Sequence, residues 1–181
     1  MQLDRAWGWV PYDTVRFPWS TIPCRDPLSW HCIRWRQWEQ YRDFADLFAL
    51  RLFGKVPYLF QAEPNLRIQK PGEEAVPWHT DADFGHLPEE VNIWIPLTEL
   101  EDPSQCVWLE CPDRRPMTMS HGTALIFPAA VMRHGNVRNA TAHTRQSFDF
   151  RLIRQSDYRD TGAKTVKYGV PLRVPEYWEV P

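Results

Sequence analysis

Between residues 35 and 53 the apolar positions fall at steps of three and four. Trp35, Trp38, Tyr41, Ala45, Phe48 and Leu52 share one face, with Arg36, Glu39, Arg42 and Asp43 on the others. That period predicts one amphipathic helix, and Gly54 suits its left-handed C-terminal stop. The aromatic stripe is read as a surface that packs on a sheet. From Tyr58 onward the apolar period shortens to that of strands, expected at 59–62, 66–70, 91–97, 105–110, 122–127, 131–138 and 145–153. Turn residues separate them at 102–104 and 112–114. Residues 1–30, aromatic and proline-containing, are read as an arm or an early strand laid over the strands. The stretch 156–181, polar and then rich in proline and aromatic residues, is expected to pack back on them.

Proline sharpens the picture. Of 17 prolines, Pro64, Pro71, Pro77, Pro96, Pro112, Pro116 and Pro128 sit where strands would begin or end, as befits a residue that cannot donate to a sheet ladder. Seven short strands after one long helix predict a mainly β fold. Its expected form is a double-stranded β-helix (jelly roll or cupin-like) buttressed by that N-terminal helix. At 181 residues, 43% of them hydrophobic, the chain is expected to be a single domain spanning 1–181. With a net charge of −2 and no run of Lys or Arg, a nucleic-acid partner is not expected. The first residues, Met1 to Trp7, lack the basic and apolar regions of a signal peptide. No apolar stretch approaches the ~18 residues of a membrane span. The four cysteines, Cys24, Cys32, Cys106 and Cys111, form no C-x-x-C pair. They read as reduced thiols of a cytoplasmic protein, and a Cys106–Cys111 bridge is not expected.

The candidate chemistry lies in the strands. Trp78-His79-Thr80-Asp81 puts an imidazole and a carboxylate two positions apart, on one face of an extended segment. A second imidazole follows about fifty residues later in Arg133-His134-Gly135. Two His and one carboxylate make the facial triad that holds Fe(II) and leaves positions open for substrate and oxygen. Alone, His134 would read as a satisfied core histidine; the ordered set is what points to a metal. After ten intervening residues, Arg145 and Ser147 share a strand face, a charged fork plus a hydroxyl suited to a carboxylate. Zinc also binds two His and a carboxylate, but a zinc hydrolase has no need of such a carboxylate clamp.

The pattern H-x-D, H, R-x-S over roughly residues 66–153 resembles the Fe(II)/2-oxoglutarate-dependent dioxygenases, including the phytanoyl-hydroxylase-like members. More narrowly, the stretches from Trp78 to His86 and Asn92 to Thr98, with His134-Gly135-Asn136 and Ser147 to Arg151, resemble the small oxygenases of streptomycin biosynthesis. The resemblance implies iron on His79, Asp81 and His134, and the distal carboxylate of 2-oxoglutarate on Arg145 and Ser147. Oxygen would be the co-substrate, and a small molecule of secondary metabolism the substrate, hydroxylated or otherwise oxidised. It also disfavours halogenation, because the family's halogenases lack the carboxylate that Asp81 supplies here.

Further candidates are weaker. Arg67 and Gln69 alternate on a strand leading towards His79 and could hold the proximal carboxylate of 2-oxoglutarate or a polar substrate; a salt bridge to Asp149 or an edge-strand surface is the competing reading. Asn92 and Trp94 share a strand face as a polar anchor and a wall for substrate, or as a helix-packing surface. His86 follows the H-x-D segment and could touch substrate, and Asp83 is read as a support behind the metal ligands or as a contact to His86. His121 and His143 read as structural or exposed. The alternative function is a cupin-like jelly roll that binds metal or ligand without oxygenase activity. Oligomeric state is left open.

Overall fold

A computed structural model of the chain describes residues 10–11, 38–120 and 122–181. Expectations for the N-terminal arm, Trp35, Cys24, Cys32 and His121 fall outside them, apart from the two-residue strand β1 (Val10–Pro11). Helix α1 (Trp38–Phe53) ends where Gly54, at φ 75°, donates its N–H to the Leu50 carbonyl at 3.0 Å. The strands that follow are β2 (Tyr58–Gln61), β3 (Asn65–Gln69), β4 (Val91–Pro96), β5 (Trp108–Glu110), β6 (Arg114–Pro116), β7 (Thr123–Phe127), β8 (His134–Gly135), β9 (Arg145–Arg154) and β10 (Trp178–Glu179).

They form two antiparallel sheets. The larger has the order β1-β7-β4-β9-β2-β10, with β3 also paired to β9; the smaller has the order β6-β5-β8. Alternation along the central strands divides the larger sheet by face. Ile93 and Ile95 of β4, Ala124 of β7 and Phe148, Phe150 and Leu152 of β9 pack on Tyr41, Phe44, Ala45, Phe48 and Ala49 of α1. Tyr41 meets Phe60 and Phe150 edge-on, at ring separations of 5.8 and 5.4 Å. Each such buried aromatic contributes about 1.5–3 kcal/mol of apolar burial, so the helix is held by its stripe, as its period predicts. On the opposite face Trp94, Leu125 and Phe127 meet Leu109 of the smaller sheet and Val107 just before it. A third cluster ties the C-terminal segment down through Leu172, Tyr177 and Trp178 against Leu59, Leu87 and Ile153.

Two expected strands differ from the structure. The segment expected as a strand over 131–138 pairs only at His134–Gly135. Just before it, Val131 and Met132 both donate to the Pro128 carbonyl, at 3.0 and 2.9 Å, which closes a turn there. The strand expected over 105–110 begins at Trp108, because Pro103–Gln105 forms a 3₁₀ turn capped by the Asp102 carboxylate on the Ser104 N–H at 2.8 Å. The turn expected at 112–114 is present as a bend over 111–113 that runs into β6, a strand not expected, and the C-terminal segment adds β10. Cys106 is buried and Cys111 exposed, both as free thiols. No helix among the described residues is long and apolar enough to cross a membrane.

Candidate metal centre

Between the sheets lies a cleft open to solvent, lined among others by His79, Asp81, Asn92, Trp94, His134, Arg145 and Arg151. His79 and His134 face each other across a two-residue bridge in which each N–H donates to the other's carbonyl, at 3.0 and 2.9 Å. Gly135 permits this approach: a Cβ there would lie 3.1 Å from the Trp78 Cα and 3.2 Å from its nitrogen. Asp81 is not extended as the H-x-D spacing suggests; it opens a 3₁₀ turn, Asp81–Phe84. The turn nonetheless brings its carboxylate to the same place. Ligand atoms of His79, Asp81 and His134 all lie within 4.8 Å of one another, a group able to hold a metal ion.

The neighbouring groups set which atoms face that point. The His79 Nδ1 is 2.8 Å from the Pro77 carbonyl and the His134 Nδ1 3.0 Å from the Met132 carbonyl. A carbonyl only accepts, so each Nδ1 carries the proton and each Nε2 is left as the ligand. The two Nε2 atoms lie 3.2 and 3.7 Å from Asp81 Oδ1. The other oxygen, Oδ2, accepts from Arg151 Nη2 at 2.6 Å and from Nε at 3.0 Å. Burial pushes the Asp81 carboxyl up, but the Arg151 charge and the imidazoles outweigh it and hold the group well below the usual carboxylate range. Burial lowers His134. At His79 burial acts the same way, but the contacts to Asp81 and Pro77 prevail and raise it.

A second feature sits in the same cleft. Along β9 the inward positions are Arg145, Ser147, Asp149 and Arg151, alternating with the aromatic positions that pack on α1. Arg145 is 1% exposed. It donates from Nη1 to Ser147 Oγ at 2.6 Å and from Nη2 to Gln69 Oε1 at 3.1 Å, while its Nε has no partner. Burial, and then the nearby charge of Arg67, push its pKa down to about 10. No carboxylate among the described residues pairs with it. Its guanidinium lies over the Trp94 ring, 5.7 Å from the centroid. Asn92 also lines the cleft, with a buried Oδ1 that has no partner.

The remaining candidates are placed differently. Arg67 lines the cleft but is engaged by Asp149, at 2.8 Å from Nε, the competing reading of its role. Gln69 is fully buried and holds Arg145, its own amide nitrogen donating to the Val137 carbonyl at 2.8 Å. His86 does not line the cleft: its Nδ1 pairs with Glu90 at 2.7 Å and its ring lies against Tyr177. Asp83 makes no contact with His86; it accepts from the Thr80 N–H at 2.8 Å and so caps the 3₁₀ turn. His143 pairs with Glu101 at the surface. Sequence reasoning passed over Arg151, although it shares strand parity with Arg145 and Ser147. That parity was the available signal.

In fold, the chain is similar to solved structures of an α-ketoglutarate-dependent enzyme and of a protein with 2-oxoglutarate bound. It superposes on the α-ketoglutarate-dependent epimerase SnoN of nogalamycin biosynthesis with a TM-score of 0.54 and 16% identity, covering 93% of this chain and 75% of that one. HygX of Streptomyces hygroscopicus, with nickel and 2-oxoglutarate bound, gives a TM-score of 0.52 and 14% identity over 78% and 76% of the two chains. In sequence, the chain is 39% identical over 120 residues to the streptomycin biosynthesis protein StrG of Streptomyces griseus. That match takes in 66% of this chain and spans 58% of the relative's length. No family model matches.

Proposed function

We propose that the chain is an Fe(II)- and 2-oxoglutarate-dependent oxygenase that oxidises a small molecule of secondary metabolism, with its two sheets forming a double-stranded β-helix. The observation that carries this reading is Arg145, a buried cation without a carboxylate, in the same cleft as the His79–Asp81–His134 group. A bare buried charge is costly. A dicarboxylate that reaches from the metal to Arg145 relieves that cost at one end and chelates at the other.

The donor set fits the ion. Two neutral imidazole nitrogens and one carboxylate oxygen are the ligands suited to iron with open positions, and both imidazoles are fixed in the required tautomer by backbone carbonyls. Arg145 fits the distal carboxylate, with Ser147 and Gln69 holding the guanidinium in place. Bound there, Fe(II) supplies oxidation by dioxygen coupled to decarboxylation of 2-oxoglutarate to succinate. The chain's part is to bind, to orient and to exclude water. Trp94 walls the cleft beside Arg145, and Asn92 offers an unpartnered acceptor, Oδ1, for a donor group of the substrate. Phe84, 40% exposed with its ring 5.2 Å from that of His79, stands where a substrate would approach. The similarity to StrG supports a role in secondary metabolism.

Anaerobic titration of the protein with Fe(II) and then 2-oxoglutarate tests the proposal. The expected result is the weak visible charge-transfer band of the chelate, followed by succinate formation on admitting oxygen. A protein that binds the metal but develops no band and forms no succinate is the cupin-like binder instead.

A further inference from the structure

We infer that Arg151 is a positioning residue of the metal centre, and that the C-terminal segment completes that centre through Tyr177. The inference rests on the reading of His79, Asp81 and His134 as iron ligands. Two N–H groups of Arg151, Nη2 and Nε, converge on a single oxygen of Asp81, at 2.6 and 3.0 Å. That oxygen is Oδ2. The other, Oδ1, is the one directed at the two imidazoles. A carboxylate with both oxygens free can chelate a metal through both and so occupy two positions. Engaged in this way, Asp81 offers one oxygen only, and the positions needed by co-substrate and oxygen stay open.

The far end of the guanidinium is anchored as firmly. Arg151 Nη1 donates to Gln61 Oε1 at 3.1 Å and to the Tyr177 hydroxyl at 3.0 Å. Gln61 belongs to β2. Tyr177 comes from the C-terminal segment, whose β10 pairs with β2 and whose Tyr177 carbonyl accepts from the Ala62 N–H at 2.7 Å. Two other acids lie nearby: Asp149, 4.0 Å from Arg151 Nη1 and paired with Arg67, and Glu90, 3.9 Å from Arg151 Nε. The two oxygens of Glu90 are engaged by His86 Nδ1 and by the Leu87 N–H, so it does not draw Arg151 off Asp81. An arginine meant only to neutralise a buried acid needs one such contact. Held at both ends, Arg151 is fixed in direction, and with it the plane of the Asp81 carboxylate.

The test is anaerobic titration of the full chain with Co(II), which reports affinity and, through its visible absorption, the ligand geometry. Wild type is compared with His79→Ala, Arg151→Met, Arg151→Lys and Tyr177→Phe, with the metal-free thermal midpoint of each as a control. Arg151→Met is expected to weaken Co(II) binding about 10- to 100-fold and to alter the cobalt bands, with partial recovery in Arg151→Lys. Tyr177→Phe removes one oxygen and keeps the ring packing, so it carries the test even where Arg151→Met fails to fold. Its expected loss is about five-fold, that of a single hydrogen bond. A merely structural Arg151 would lower the thermal midpoint and leave affinity and spectrum of the folded protein unchanged. Wild-type affinity and spectrum in the Arg151 variants that fold and in Tyr177→Phe would overturn the inference. Failure of wild type to bind Co(II), or unchanged binding in His79→Ala, would instead overturn the iron reading and the inference with it.

Discussion

Replacing Arg145 with methionine separates a binding role from a structural one, because the two predict opposite things. In the ligand-free protein Arg145 is a buried cation whose partners are a hydroxyl and an amide, with Nε bare and its pKa driven down to about 10 by burial and by Arg67. Removing the charge relieves its desolvation. Against that, Ser147 Oγ and Gln69 Oε1 lose a donor, at about 1–3 kcal/mol per unsatisfied group. These terms oppose one another, so Arg145→Met should leave the ligand-free stability close to wild type. Binding of 2-oxoglutarate should suffer far more. Removing one partner of a desolvated, hydrogen-bonded charge pair costs roughly 2–5 kcal/mol, a loss of about 30- to 4,000-fold in affinity. Calorimetry with Ni(II) in place of iron measures this without turnover. A thermal-shift series checks it, since co-substrate at 100 times its wild-type Kd stabilises by about 2.7 kcal/mol, a gain the variant should not show. Ser147→Ala should cost only about 1 kcal/mol of binding. Equal 2-oxoglutarate affinity in wild type and Arg145→Met would refute the assignment. So would a large loss of ligand-free stability with affinity retained.

Alanine at His79, Asp81 or His134 removes one of three protein ligands, and each variant should lose stoichiometric iron by elemental analysis while keeping its circular dichroism spectrum. Metal affinity should fall with pH, because both imidazoles must be neutral to bind. His79 is raised, so the midpoint should lie above the ordinary imidazole value, readable from Co(II) titrations across pH. In the metal-free protein the raised His79 adds stability below its unfolded pKa and loses it as pH rises through the folded one, while the lowered His134 acts in the opposite sense. Gly135→Ala drives a Cβ to 3.1 Å from the Trp78 backbone, and should cost about 1–3 kcal/mol in denaturant unfolding and weaken Co(II) binding together.

The helix and the long strands were legible because their periods are set by burial. Phe148, Phe150 and Leu152 alternate with the polar positions of β9 because one face meets α1 and the other the cleft. The triad was legible through order and spacing. What the sequence could not supply was partner choice. Arg67 read as a salt bridge or a carboxylate ligand with equal ease, and only the position of Asp149, diagonal to it across the β3–β9 pair, selects the first. His86 lies close in sequence to Asp81, yet Glu90 and Tyr177 draw it away from the cleft. Arg151 and Tyr177 depend on a C-terminal segment that folds back across residues distant in sequence, and no local pattern announces that contact. The shortened strand at His134–Gly135 was missed because the residues before it are apolar enough for a strand, while the Pro128 carbonyl closes them into a turn.

The inward face of β9 and its surroundings order the charges of the cleft. Arg151 is matched by Asp81 and Asp149 by Arg67, both within 2.8 Å. Among the described residues of the cleft, Arg145 alone is left without an opposite charge. A dianion with one end on a divalent ion and the other on Arg145 is therefore the ligand that leaves no charge bare. A 2-oxo acid with the same chelating end and an uncharged tail, such as 2-oxobutyrate, leaves Arg145 desolvated and unpaired. Wild type should bind it more weakly than 2-oxoglutarate by the same order as the Arg145→Met loss, roughly 2–5 kcal/mol. In Arg145→Met the two acids should bind alike, since the group that tells them apart is gone. The four calorimetric titrations form a thermodynamic cycle whose coupling isolates the Arg145–carboxylate contact from every other effect of the substitution. A coupling near zero would show that the distal carboxylate is held elsewhere in the cleft.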